Sequence, residues 1–213
     1  MATARVPEDW RGTIQRAREL ARTRDPAAFD LLLPALGWRY DPARNEAIKL
    51  LANFGDGVVP HLLRTIEGAE TAVERHAAED ALGRMDRRRA IRALLQALAG
   101  ADIDVRRAAC LGLLRLNARE AVRPICRLLL DPSGGVRALA AQVLGRFRDP
   151  AAVPVLVHAL RDEEWYVRHA AAAALGELRD PRTVAGLTGA SRDPLPAVAS
   201  AARASLAAMV PGR

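Results

Sequence analysis

Apolar positions return along this chain at one fixed interval. Leu32, Leu63, Leu94, Ile125, Leu156 and Leu187 stand 31 residues apart, and so do Leu51, Leu82, Leu113, Leu144, Leu175 and Leu206. A polar track keeps the same period: Arg44, Arg75, Arg106, Arg137 and Arg168, each seven residues ahead of a leucine of the second series. Three tracks in register over so long a stretch define an internal repeat.

The segment from Asp149 to Asp180 reads most clearly. Val153, Leu156, Val157 and Leu160 have the spacing of one helical face, and Asp149-Pro150 suits an N-cap followed by proline at the first helical position. Arg161, Asp162 and Glu163 form a polar turn. Val167, Ala170, Ala171, Ala174, Leu175 and Leu178 then make a second apolar stripe, and Asp180-Pro181 ends it. Each period is a two-helix hairpin that cannot bury its stripes alone, so neighbours must stack.

This register predicts an all-α superhelix, a solenoid of about six 31-residue hairpins at residues 25–54, 55–86, 87–117, 118–149, 150–180 and 181–210. Val6, Trp10, Ile14, Ala17 and Ala21 form one face of a helix over 7–24 that caps the first hairpin. The last hairpin is degenerate, with Ala199 in place of the repeated arginine and with Pro194, Pro196, Ser200 and Ser205; it reads as the C-terminal cap. No long low-complexity linker interrupts the array, so residues 1–213 are expected to form a single domain. Gly134-Gly135 reads as a turn between helices.

The motif carried by Asp131, Val136, Arg137, Ala140, Ala141, Leu144 and Gly145, and again by Asp162, Val167, Arg168, Ala171, Leu175 and Gly176, resembles the short HEAT-like repeat associated with phycobilisome (bilin) lyases. The third hairpin keeps Val105-Arg106 but has Leu114 where the glycine falls, the second has Glu74-Arg75, and the first Ala43-Arg44. The resemblance covers nearly the whole chain and is specific for fold. Proteins with such repeats serve as scaffolds, as chaperone-like partners and in a few cases as enzymes, so a bilin-lyase-like enzyme component is one function the resemblance brings.

Composition narrows the classes. Half of the residues are apolar but only 4% are aromatic, which favours closely packed Ala- and Leu-rich helices over a β-sandwich. No stretch is apolar enough to span a bilayer, and the N-terminus lacks the pattern of a secretory signal; a cytoplasmic location is expected. Cys110 and Cys126 form no CxxC pair. The net charge is +7, with Lys49 the only lysine. An Arg excess invites anionic partners, and equally reflects a genome rich in G and C.

The arginine column admits two readings. It is either a row of phosphate-binding cations or a set of internal contacts to turn acids such as Asp131 and Asp162, of the same or an adjacent hairpin. By resemblance, the family uses such Asp–Arg contacts as an intramolecular ladder through Arg44, Arg75, Arg106, Arg137 and Arg168. Function is then expected where the repeats differ, on the second helices. These positions read Asn45, Glu46 and Lys49; His76, Ala77 and Asp80; Ile103, Asp104, Arg107 and Leu111; Ala138, Leu139 and Gln142; and Trp165, Tyr166 and His169. Exposed Trp and Tyr are typical interface anchors, and a groove of this mixed character suits a protein or peptide partner. Trp165 could instead fold back against the next turn.

Other chemistry finds little support in the residues. None of His61, His76, His158 and His169 precedes a glutamate, whereas the HEAT-repeat di-iron hydroxylases rely on repeated His-Glu pairs, so neither a metal nor a cofactor is expected. Gly55-Asp56-Gly57 lacks the flanking strand and further glycines of a phosphate loop, and no GxSxG elbow occurs. A basic cluster of Arg84, Arg87, Arg88, Arg89 and Arg92, with Arg119 and Arg123 one repeat onward, offers a nucleic-acid contact as the alternative partner surface, although Asp86 and the acids from Glu70 to Asp80 interrupt it. Catalysis has no candidate residue.

Overall fold

The computed structural model describes residues 6–209, and among them the regular structure is helical, without strands. The first helix, α1 (Trp10–Arg22), is followed by six pairs: α2 (Ala28–Ala35) with α3 (Asp41–Phe54), α4 (Val59–Gly68) with α5 (Ala72–Gly83), and α6 (Arg87–Ala97) with α7 (Ile103–Arg115). Next come α8 (Val122–Arg127) with α9 (Gly134–Phe147), α10 (Val153–Ala159) with α11 (Trp165–Leu178), and α12 (Val184–Ala190) with α13 (Pro196–Met209). These pairs fall inside the six predicted hairpins, and the fold class is the expected α-solenoid of helical hairpins. By packing, the chain falls into two compact units, Met1–Ala109 and Cys110–Arg213, divided within α7.

In the first unit, α1 packs on both α2 and α3, and successive helices of like position meet: α2 with α4, α4 with α6, and α3 with α5. Helix α1 is shorter than the 7–24 span. Asp9 caps it by accepting from the Gly12 N–H at 3.0 Å, and Arg24 leaves helical geometry at φ 55°. Ile14 and Ala17 are buried, while Trp10 sits tilted against Tyr40 with ring centroids 5.2 Å apart.

The second unit stacks α9 on α11 and α11 on α13. Two glycines set that spacing. A Cβ on Gly145 would lie 2.8 Å from the Ala174 Cα, and one on Gly176 would lie 2.3 Å from the Ser205 Oγ, so no other residue fits without moving a helix. The Ser205 hydroxyl also donates to the Ala172 carbonyl at 2.9 Å, which ties α13 to α11. The Asp-Pro pairs cap as expected: Asp149 accepts from the Ala151 N–H and Asp180 from the Arg182 N–H, each at 2.9 Å. They open 3-10 turns, Pro150–Ala152 and Pro181–Thr183, rather than the α-helices themselves, which begin at Val153 and Val184. Arg148 and Arg179 end α9 and α11 in the left-handed region, a place usually held by glycine, where their charge complements the helix C-termini.

Gly134-Gly135 is not an inter-helix turn. Both residues belong to the first turn of α9, and a Cβ on Gly134 would lie 2.4 Å from the Tyr166 hydroxyl. The bare glycine lets Tyr166 of the next hairpin pack down on α9.

The predicted apolar tracks are the core. Leu32, Leu63, Leu94, Ile125, Leu156 and Leu187 are each fully buried, as are Leu51, Leu113, Leu144 and Leu175. Leu206 is half-buried on α13. Truncating Leu156 to alanine should cost about 2–5 kcal/mol in urea unfolding, whereas Leu206→Ala should cost less than half of that.

His61 introduces a pH dependence. Its ring lies 4.6 Å from that of Phe29, and burial, then the Arg64 guanidinium, hold the imidazole below its ordinary 6.5 against the opposing pull of Asp30. The unfolded chain therefore takes up this proton first as pH falls, so the contribution is present above about pH 6.5 and lost below it. Urea midpoints compared at pH 7.5 and 5.0 should fall less in His61→Gln than in the parent protein.

Candidate functional site

The repeated arginines lie just inside the second helices, and four of them use Nη1 in one way. Arg44 donates to the Trp38 carbonyl, Arg106 to Gly100, Arg137 to Asp131 and Arg168 to Asp162, each six residues back and at 2.7–3.0 Å. Each guanidinium thereby closes the turn of its own hairpin.

In the second unit the same groups reach the next hairpin. Arg137 donates from Nε and Nη2 to the two Asp162 carboxylate oxygens at 2.8 and 2.9 Å, and from Nη2 to Glu163 at 3.1 Å. Nη1 also reaches the Pro132 carbonyl at 3.3 Å. All five guanidinium N–H donors of Arg137 are thus occupied, which leaves none for a phosphate. Arg168 repeats the pairing with Asp193 at 2.7 and 3.2 Å. In both pairs the acid stands 25 residues after the arginine.

Arg44 and Arg75 of unit one have no acid at that place. Twenty-five residues after Arg44 and Arg75 stand Ala69 and Gly100, which have no carboxylate. Arg44 pairs with Asp41 of its own helix, and Arg75 is exposed. Other pairs link the hairpins there: Arg18 with Glu46 at 2.7 Å, Arg64 with Asp102 at 3.0 Å, and Arg89 with Asp56.

Hydrogen bonds from Arg168 hold the Asp193 carboxyl below its usual range. Burial raises that of Asp162, but hydrogen bonds from Arg137 and from the Glu164 N–H outweigh it and leave Asp162 depressed as well. A depressed carboxyl stabilises the fold above its ordinary value near 3.8 and loses that contribution as pH falls through its native value.

A groove of about 400 Å³ lies between the second helices of unit two. Leu111 and Leu114 of α7, Leu139 of α9, and Ala170 and Ala173 of α11 form its apolar lining, and Gln142 stands exposed at its edge. Arg146 and Glu177, 3.8 Å apart, close one end. Leu111, Leu139 and Gln142 are thus brought together. Leu114, Arg146 and Glu177 were not anticipated as lining, although Leu114 carried a signal: it stands where the next two hairpins have glycine, so a side chain projects where α9 and α11 have none.

Trp165, Tyr166 and His169 sit on the first turns of α11, outside that lining. Trp165 is 46% exposed and meets Tyr166 edge to face at 5.9 Å, while His169 is exposed. In unit one, His76, Asp80 and Ile103 are exposed and Arg107 half-buried, but Asp80 is held by Arg84 through two 2.9 Å bonds, and Arg107 stands 3.7 Å from Asp104. Ala77 and Ala138, expected in the groove, are buried. The basic cluster is partly neutralised: Arg84 faces Asp80 and Arg89 faces Asp56, while Arg88 and Arg92 are exposed. Burial pushes the Cys110 thiol up to about 12, and burial followed by Asp149 raises that of Cys126. Among the described residues no group of three or more His, Cys, Asp and Glu is placed to hold a metal ion, and no helix is long and apolar enough to cross a membrane.

The family description "HEAT repeats" matches residues 91–157 and 127–207, together more than half of the chain. The chain belongs to the HEAT-repeat family. Among solved structures it is similar to human deoxyhypusine hydroxylase in complex with glycerol, at 22% identity and TM-score 0.53, covering 95% of this chain and 80% of that one. Kap121p bound to Nup53p aligns at 18% identity and TM-score 0.57 over 94% of this chain and 25% of that protein. A designed armadillo repeat protein in complex with the peptide (KR)4 aligns at 15% identity and TM-score 0.55, covering 95% and 100%. At such identities the likeness is one of fold. No curated protein matches the chain.

A double-mutant cycle of Arg137→Met and Asp162→Asn should give a coupling of about 1–3 kcal/mol at pH 7, shrinking as pH falls through the ordinary carboxylate value of 3.8 and then through the lower native one. Arg75→Gln, which breaks no rung, should change stability by less than about 0.5 kcal/mol.

Proposed function

We propose that this HEAT-repeat protein is a scaffold or adaptor that holds a protein or peptide partner against the second helices of its C-terminal unit. The observation that carries this reading is the division of labour within the repeat. The seam positions keep one residue type from hairpin to hairpin, while the groove positions differ: Leu111, Gln142 and Ala173 occupy one register, and Leu139 and Ala170 another. Residues needed only for stacking would have no cause to diverge in this way. An apolar lining with a charged pair at one end suits a side-chain anchor flanked by polar contacts.

Trp165 extends this surface toward the turn edge, as an exposed aromatic of the kind that dominates binding energy at interfaces. Solenoids of similar fold, Kap121p with Nup53p and the designed armadillo protein with (KR)4, hold protein and peptide partners, which agrees with the reading. Nucleic acid is the weaker alternative, since Arg84 and Arg89 of the basic cluster already face carboxylates.

Peptide display against the purified full chain tests the proposal. Selection should enrich sequences with a recurrent apolar anchor. Leu139→Arg should weaken the selected peptides at least tenfold, and Trp165→Ala together with Tyr166→Ala should weaken a longer partner, with far-UV circular dichroism unchanged in both. Failure to enrich any sequence, or equal binding by Leu139→Arg, would overturn the reading.

A further inference from the structure

The first helices of unit two leave a second opening, a cleft of about 610 Å³ between α8 and α10, lined by Leu129, Leu130, Pro154 and Val155. Its acids Asp162 and Glu163 are matched by Arg137 and Arg161, so its charges assign no occupant. The other edge of the unit, where each second helix turns into the next hairpin, is not balanced in this way.

One register of that edge is strained. Asn117, Arg148 and Arg179 stand 31 residues apart, each just past the end of a second helix, and each holds a left-handed backbone, at φ 47°, 51° and 50°. Glycine takes this conformation freely and asparagine readily, whereas arginine adopts it against steric resistance. The helix ends do not demand these two cations. Helix α9 already carries Arg146 in its last turn, and glycine or asparagine would close either helix with less strain.

Arg148 and Arg179 are exposed, as are Arg119 and Arg123 at the start of the fourth hairpin, and none of the four forms an ion pair among the described residues. Arg182 draws two of the turns together by donating to the Pro150 carbonyl at 3.4 Å. Acids are fewer here. Glu177 faces Arg146 and Asp180 is taken by Arg182. Asp149, which caps its own 3-10 turn, and Glu120 are left against the four arginines. The edge stays positive with every one of these charges counted.

We infer that this edge docks an extended acidic segment of a partner protein, whose carboxylates meet Arg179, Arg148 and the pair Arg119 and Arg123 in successive hairpins. Helices packed on one another stand about 8–10 Å apart, and an extended chain covers about 10 Å in three residues, so acids at every third position keep step with the hairpins. A nucleic acid fits less well, because Glu120, Asp149 and Asp180 stand among the arginines and would lie under a continuous line of phosphates. The edge is separate from the groove between the second helices and does not depend on that reading.

Twelve-residue peptides with glutamate at every third position among serine and glycine, titrated against the full chain by fluorescence anisotropy at low salt, test it. Binding should saturate and weaken as salt is added. Arg148→Gly combined with Arg179→Gly is the deciding variant. Its melting temperature should hold or rise, because glycine relieves the left-handed backbone, while affinity drops at least tenfold. Leu139→Arg should bind as the parent does, and peptides with glutamine for glutamate should not bind. Unchanged affinity in the double glycine variant, equal binding of the glutamine peptide, or loss of binding in Leu139→Arg would overturn the proposal. A lower melting temperature in the glycine variant would return the arginines to the helix ends and equally end it. So would tighter binding of a single-stranded oligonucleotide of the same charge, which would make the partner a nucleic acid.

Discussion

A helical hairpin of about thirty residues is too thin to surround its own apolar stripe, so each hairpin must be covered by the ones before and after it. Around that requirement the rest of the molecule is arranged. It explains why the leucine tracks are buried, and why glycine and alanine stand where α9, α11 and α13 come nearest to one another. Close approach of the helices brings more of each stripe out of water, and Gly145 and Gly176 set how close they come.

The arginine column is a second consequence of stacking. A turn that joins two helices leaves carbonyls exposed, and one guanidinium satisfies several of them while reaching a carboxylate on the next turn. Arg137 and Arg168 do both, with planar two-point contacts to Asp162 and Asp193. Where the acid at +25 is absent, as after Arg44 and Arg75, the hairpins are linked by other pairs such as Arg64 with Asp102. The column therefore looks uniform along the chain but performs two different structural tasks.

The two openings of unit two are shaped by residues that differ between hairpins. Leu114, where the next two hairpins have glycine, walls the groove beside α9, and Leu130, where the next two have arginine, rims the cleft beside α8. The two surfaces lie on different helices, one lined by leucine and alanine with an Arg–Glu pair at its end, the other apolar with paired acids and arginines at its mouth. An array with a constant seam can vary both without disturbing its core.

The period and the buried tracks were legible in the amino-acid order alone, because periodic burial leaves a periodic record that neighbouring copies reinforce. Leu32 through Leu187 could be placed in the core from spacing alone. The pairing of Arg137 with Asp162 was legible only as an acid in a nearby turn, because reach and angle across a stacked interface are not written in spacing. Gly134-Gly135 misled for a related reason: glycine signals both a turn and a close approach, and only the Tyr166 hydroxyl above α9 distinguishes them. Ala77 and Ala138 are likewise buried, which a one-dimensional pattern does not resolve at the edge of a helical stripe. Which exposed residues share a concavity, Leu139 with Ala173 or Leu130 with Val155, was decided by the tertiary packing, since a groove belongs to the space between helices and to no single one of them.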